Sequence, residues 1–437
     1  MQIIHPILPL SKVEFAAALR TGHGRAIQHI QVHGSNGLEE IIIEACVTSL
    51  SYDPQLEVER APWLFSIVDR AKLKADVVQA IREAINTAPA ESSRDSDQRS
   101  AILKELAASG SEDARHLLYS SLARSSNTAD VIGAKEIVAL DGADGLIYVA
   151  RQMGQWMQAD PDFWDDDSII AGFDASTGIE GGLAVLERQA AVDSDIASYL
   201  AGVRKTRDSL SGSSTRLDAM FFSGDEVVAY VRNNPKEQCY WLRIWGMRAT
   251  PDQCEIVFAA LVASQESEQV KRLFRCFAKT GLPRLESRLL RWIDHVDAEV
   301  QWAAVAALAP MTHGKLRQVA MRLIAGGNIA NGVALLVRNF LEGDFSRCAE
   351  HLLQLADADE THHLVGELLD LCEAHLGHKA LACLLYVYEF SPCSTCRNRA
   401  VKALIDTNTA PAWVLAESLF DADPETRAFV RAAHSCS

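Results

Sequence analysis

Three groups of residues carry side-chain types able to do chemistry. The first is Cys348-Ala349-Glu350 together with Pro392-Cys393-Ser394-Thr395-Cys396. Thiolate sulfur is a favoured zinc ligand, and a carboxylate can move protons at metal-bound water. The second is the acidic run Asp160, Asp162, Asp165, Asp166 and Asp167, around Phe163 and Trp164. Hard cations favour such oxygens, but the spacing is not that of an EF-hand loop and lacks glycine at its sixth position. The run reads as a solvated turn ending in a helix N-cap. The third is a set of cations, of which Arg243, Lys271, Arg272, Arg397 and Arg427 are the candidate binding stripe. They either line a binding face or cap neighbouring helix ends and meet solvent. The chain has no Gly-rich phosphate loop, no G-x-S-x-G elbow and no G-x-G-x-x-G turn.

The Cys-Ala-Glu and Pro-Cys-x-x-Cys pattern resembles the signature of zinc-dependent nucleoside and nucleobase deaminases. The resemblance implies Cys348, Cys393 and Cys396 as ligands of a zinc with one open position, and Glu350 as proton shuttle. That fold needs a strand just before the Pro-Cys motif, whereas Leu381–Glu389 fits a helix equally well. Glu350 and Cys393 lie 43 residues apart, long for that family. Cys393 and Cys396 alone do not make a structural zinc site, because no second pair has the usual spacing. His362-His363 reads as a helix-surface pair. No catalytic residue, metal or cofactor is assigned from the sequence.

The elements that must position these residues are helical. Apolar residues recur at i, i+3, i+4 and i+7, as in the helix expected over Lys72–Ile85. Two polar, Ser-rich stretches, 89–97 and 208–215, read as linkers. They divide the chain into a helical region 1–90, a helical region 98–207 with degenerate repeats, and a repeat region 216–437. In the last, anchors near the start of each second helix fall at Cys239, Val270, Val300, Thr361, Cys396 and Thr426. The gaps are 31, 30, 61, 35 and 30, so a unit of about 30 residues recurs, with one degenerate copy around 329–340. Ala304, Ala307 and Leu308 follow Val300 at the offsets by which Ala400, Ala403 and Leu404 follow Cys396. These offsets share one helical face. Thr250-Pro251, Gly281-Leu282-Pro283 and Ala410-Pro411 are expected to open first helices.

Proline, helix, short turn, acidic residue, second helix: this unit resembles HEAT-like repeats, including those of lyases that attach bilin chromophores. The segment 297–308 is the closest match. The resemblance implies an all-α fold, an armadillo-like α-solenoid of antiparallel helix pairs, with a divergent helical N-terminal region. It also implies a protein-interaction scaffold that holds a protein partner on its concave face. The alternative is a HEAT-like DNA glycosylase or another nucleic-acid-acting enzyme. Some HEAT-repeat enzymes bind two irons through His-Glu pairs, but none of the 13 histidines here precedes a glutamate.

Composition narrows the choice. A net charge of −16 over 437 residues disfavours a protein that wraps nucleic acid. No apolar run approaches the length of a membrane span. The first residues, 1–6, lack the features of a secretory signal, and most of the ten cysteines sit in apolar helical patterns. A cytoplasmic protein is expected.

Overall fold

The computed structural model describes residues 5–87, 93–125, 131–160, 163–178, 181–210 and 221–435, and the regular elements among them are all helical. Local chemistry explains where helices start. Ser11 with Glu14, Ser223 with Glu226 and Thr250 with Gln253 form capping boxes, and Pro251 occupies the first helical turn. Asp297 and Asp357 cap two further helices by accepting the amides of Glu299 and Glu360. No described helix is long and apolar enough to cross a membrane. The described helices divide into two compact units, one of residues 6–213 and 417–428, the other of 1–5, 214–416 and 429–437.

In the first unit, the regions expected separately as 1–90 and 98–207 share one buried core, which includes Phe15, Ile42, Leu64, Ile102, Leu118 and Tyr199. The stretch 93–97, read from sequence as linker, opens the helix Ser93–Ala108. Asp95 accepts the Ser49 amide at 2.8 Å, and Ser96 is buried. Polar residues at a helix start served there as anchors. Residues 89–92 and 211–215 of the two expected linkers lie outside the described residues, whereas 208–210 complete the helix Ser194–Leu210. The helix expected from Lys72 starts at Lys74, because Lys72 takes a left-handed conformation (φ 60°) that ends the preceding helix. In the acidic run, Asp166 accepts the Ser168 amide and Asp167 pairs with Arg207. Burial and the neighbouring Asp166 push the Asp165 carboxyl up to about 6. Asp162 lies outside the described residues.

The segment 417–428 joins this unit through a buried carboxylate. Glu417 Oε1 accepts from His23 Nδ1 and from Arg25 Nε, both at 2.8 Å. Gly24 lies between those donors, and a Cβ there would sit 2.0 Å from the Glu417 carbonyl oxygen. Trp63 Nε1 donates to Phe420 O, and the Ala422 amide to Gly22 O. Burial alone would raise the Glu417 carboxyl, but the hydrogen bond from His23 and the charge of Arg25 outweigh it and hold it at about 2.

In the second unit, Val270, Val300, Thr361 and Cys396 fall in the first turns of the helices Ser267–Arg275, Ala298–Leu308, Ala358–Ala374 and Ser394–Asp406. The degenerate copy supplies the helix Ile329–Leu336. These five helices pack side by side in chain order. Cys239 lies in a left-handed turn before the helix Leu242–Arg248, whereas Thr426, in the first turn of Pro424–Ser435, belongs to the first unit. Gly246 is required where it stands, since a Cβ would approach Cys276 O to 1.7 Å. One expected first helix is displaced. Pro283 opens none, and a 3-10 helix runs instead over Ser287–Asp294. Proline keeps Leu282 out of the helical region, and Arg284 reaches back to Glu255 across the Phe258 ring.

Two outcomes test this packing. Ala304 is fully buried, so Ala304→Arg should cost ~3 kcal/mol or more through overpacking and an unpaired buried charge, read as a lower Tm. An unchanged Tm would contradict the face assignment. For Glu417, a carboxyl depressed below its ordinary 4.5 stabilises the fold above that value and loses this contribution as pH falls toward 2. Glu417→Gln should therefore remove ~3 kcal/mol at neutral pH and flatten the acid limb of urea-unfolding stability between about pH 5 and 2.

Candidate functional site

Two places in the second unit gather polar and metal-binding groups, both at first turns of neighbouring helices. The first is a cleft of about 660 Å³ at the N-terminal ends of Ala298–Leu308, Ile329–Leu336 and Ala358–Ala374. Its polar lining includes Glu299, Gln301, Trp302, Asn328, Asn331, Glu360 and His363. Asp297 and Asp357 cap the outer two helices, while Asn328 makes no side-chain cap bond to the middle one.

Asn331 is the exceptional member. It is 7% exposed, and its Oδ1 is buried without a hydrogen-bond partner. A buried polar atom left unsatisfied costs ~1–3 kcal/mol. Its neighbours are better served. Glu299 accepts from Lys271 Nζ at 2.8 Å. Burial lowers the Lys271 ammonium, and its bonds to Glu299 and Glu268 more than restore it. The Arg243 guanidinium lies 4.7 Å from the Trp302 ring centre, a cation–π contact that fixes the indole. Burial and the nearby Arg275 pull Arg243 below its ordinary pKa. The cleft is thus lined by an indole, a carboxamide whose oxygen is buried and unpaired, and exposed carboxylates at Glu299 and Glu360.

The expected cationic stripe is placed differently from a continuous exposed row. Arg243 stacks on Trp302, and Lys271 serves Glu299 and Glu268. Arg272 is 2% exposed and donates to the carbonyls of Asn234 and Glu268. Arg397 is fully buried in the helix Ser394–Asp406. Arg427 belongs to the other unit, where it donates to Asp421 O at 2.6 Å and Ala422 O at 2.9 Å. Most of these side chains therefore serve helix ends and neighbouring carboxylates.

The second place is a cluster of His362, Cys393 and Cys396, whose ligand atoms all lie within 4.8 Å of one another. Cys396 Sγ is 3.5 Å from His362 Nε2. Cys393 is the N-cap of Ser394–Asp406, Cys396 its third residue, and His362 lies early in Ala358–Ala374. Fully buried Ser391 fixes the turn, its hydroxyl accepting the Cys393 amide and donating to Cys393 O.

The deaminase-like set does not assemble. Cys348 does not join Cys393 and Cys396, Glu350 is exposed, and Leu381–Phe390 is a helix with no strand among the described residues. Burial pushes the Cys348 thiol up to about 12, and a hydrogen bond with Cys372 and burial raise Cys383. Sequence reasoning placed His362 on a helix surface and passed over Asn331, although the repeat register held both. His362 follows the anchor Thr361, one unit before Cys396. Asn331 stands 31 residues after Val300 and 30 before Thr361, at the anchor of the degenerate unit.

No protein-family model, curated protein or solved structure matches this chain.

The unsatisfied carboxamide makes its own prediction. Asn331→Leu, of similar shape, should raise the stability of the isolated protein by about 1 kcal/mol, because it removes an unpaired buried acceptor. Urea unfolding checks this, and a loss of stability would mean that Asn331 serves the fold.

Proposed function

We propose that the protein is an interaction scaffold, an α-solenoid of HEAT-like helix pairs in its second unit, whose cleft holds an extended segment of a protein partner. The observation that carries this reading is the buried, unsatisfied oxygen of the Asn331 carboxamide in the cleft that Trp302 also lines. A carboxamide carries one donor group and one acceptor, the complement of a peptide group in an extended chain. Burying it unpaired is costly, and a bound backbone would remove that cost. Trp302 is a platform already oriented by Arg243, so little entropy is lost on contact. Exposed Glu299 and Glu360 favour a basic side chain in the bound segment.

The side-by-side packing of the five first-turn helices supports the solenoid reading. Units that bury their apolar faces mainly against neighbours leave a long row of first turns available for partners. The burial of Arg272 and Arg397 speaks against a nucleic-acid groove. So does the net charge of −16.

The test is capture of partners by the tagged protein from its native cell, with a nuclease-treated control, followed by titration of the identified segment. Asn331→Leu and Trp302→Ala should each weaken binding by about 30-fold, as central contacts do, while Arg347→Ala outside the cleft leaves it unchanged. Equal affinity in both cleft variants, or recovery of nucleic acid alone, would refute the reading.

A further inference from the structure

We infer that His362, Cys393 and Cys396 form a zinc-binding site that ties the helix Ala358–Ala374 to the next helix of the row, Ser394–Asp406. The inference stands on different residues from the peptide cleft and does not depend on it.

Geometry comes first. Tetrahedral zinc, with Zn–S ≈ 2.3 Å and Zn–N ≈ 2.1 Å, sets its ligand atoms about 3.6 Å (S to N) and about 3.8 Å (S to S) apart. The sulfur of Cys396 and Nε2 of His362 are 3.5 Å apart, and the three atoms lie within 4.8 Å of one another. The donor set is the second argument. Two thiols and an imidazole select zinc over magnesium or calcium, which prefer oxygen. Position is the third. Cys393 and Cys396 begin a helix, where the dipole favours thiolate, and the Ser391 hydroxyl holds the turn. Both cysteines are buried while His362 is half-buried, so the cluster is shielded from bulk water yet has an approach for an ion.

Binding is an exchange of protons for metal. Each thiol forms a Zn–S bond and releases its proton to solvent, and the imidazole gives the lone pair of Nε2. The described residues fill three of the four tetrahedral positions. Because the ligands come from two neighbouring helices, the ion would add a staple to a contact that side-chain packing and the pairs of Arg399 with Asp370 and Glu373 already hold.

The test uses the full chain, reduced and stripped of metal, titrated with Zn²⁺ alone. One equivalent should bind and raise Tm. Cys393→Ser with Cys396→Ser should abolish stoichiometric binding, and His362→Ala should weaken it by at least about tenfold. X-ray absorption of the zinc-loaded wild type, which no folding defect in a variant can confuse, should show two sulfur ligands and at least one imidazole nitrogen. A fully reduced wild type that binds no stoichiometric zinc would overturn the inference. So would a first shell with no sulfur, or equal affinity in all variants. A pair that only cycles between dithiol and disulfide counts among those negative results.

Discussion

Every helix ends with carbonyl groups that its own turns cannot satisfy. In a protein of packed helices many of those ends are buried, and an unpaired buried carbonyl is costly. This chain answers with arginine. Arg60 donates to the carbonyls of Leu19 and Arg20 at the end of one helix, and Arg272 to Asn234 O just past another, while Arg60, Arg275 and Arg317 also reach the loop carbonyls of Leu50, Gln238 and Asn339. One guanidinium has five donors in a fixed fork, so it can serve several carbonyls of one turn. Arg317 shows the full device, since it also holds the buried carboxylate of Asp344. Glu417 is the mirror case, a buried anion between the donors of His23 and Arg25 that fixes a distant segment into the first unit.

That constraint explains why an acidic protein keeps cations inside. Lys271, Arg272 and Arg275 have little exposed surface because carboxylates and backbone carbonyls occupy them, and Arg397 is fully buried. They contribute to the fold through charge-assisted hydrogen bonds, each about twice as strong as a neutral one. Arg243 differs. It covers the Trp302 ring, and it links the packing of the row to the cleft.

The chemistry sits where the same accounting at helix starts changes. Val270 and Val300 bury apolar side chains in the first turns of their helices. The next three positions in register are Asn331, Thr361 and Cys396, all buried and all polar or nucleophilic by type. Thr361 is satisfied within its own turn through Asp357 O. Asn331 leaves an acceptor unused, and Cys396 meets an imidazole. The row of first turns thus passes from apolar to polar and thiol side chains over three helices.

The sequence by itself determined the helical class and the first-turn positions of Val270, Val300, Thr361 and Cys396. Those features are local, since periodicity, capping residues and prolines act within a few residues of themselves. Even so, local signals misplaced the helix expected at Pro283 and the start of the helix at Lys74, where turn conformations overrode them. They also presented 93–97 as a linker, although contact with Ser49 anchors it. Only the tertiary structure decided which cations are buried, that Cys348 is apart from Cys393, and that His362 is beside Cys396. It alone joined 417–428 to the first unit. A sequence shows what each side chain can donate or accept. Which partner it meets depends on helices brought together from far along the chain, and neither spacing nor composition encodes that distance.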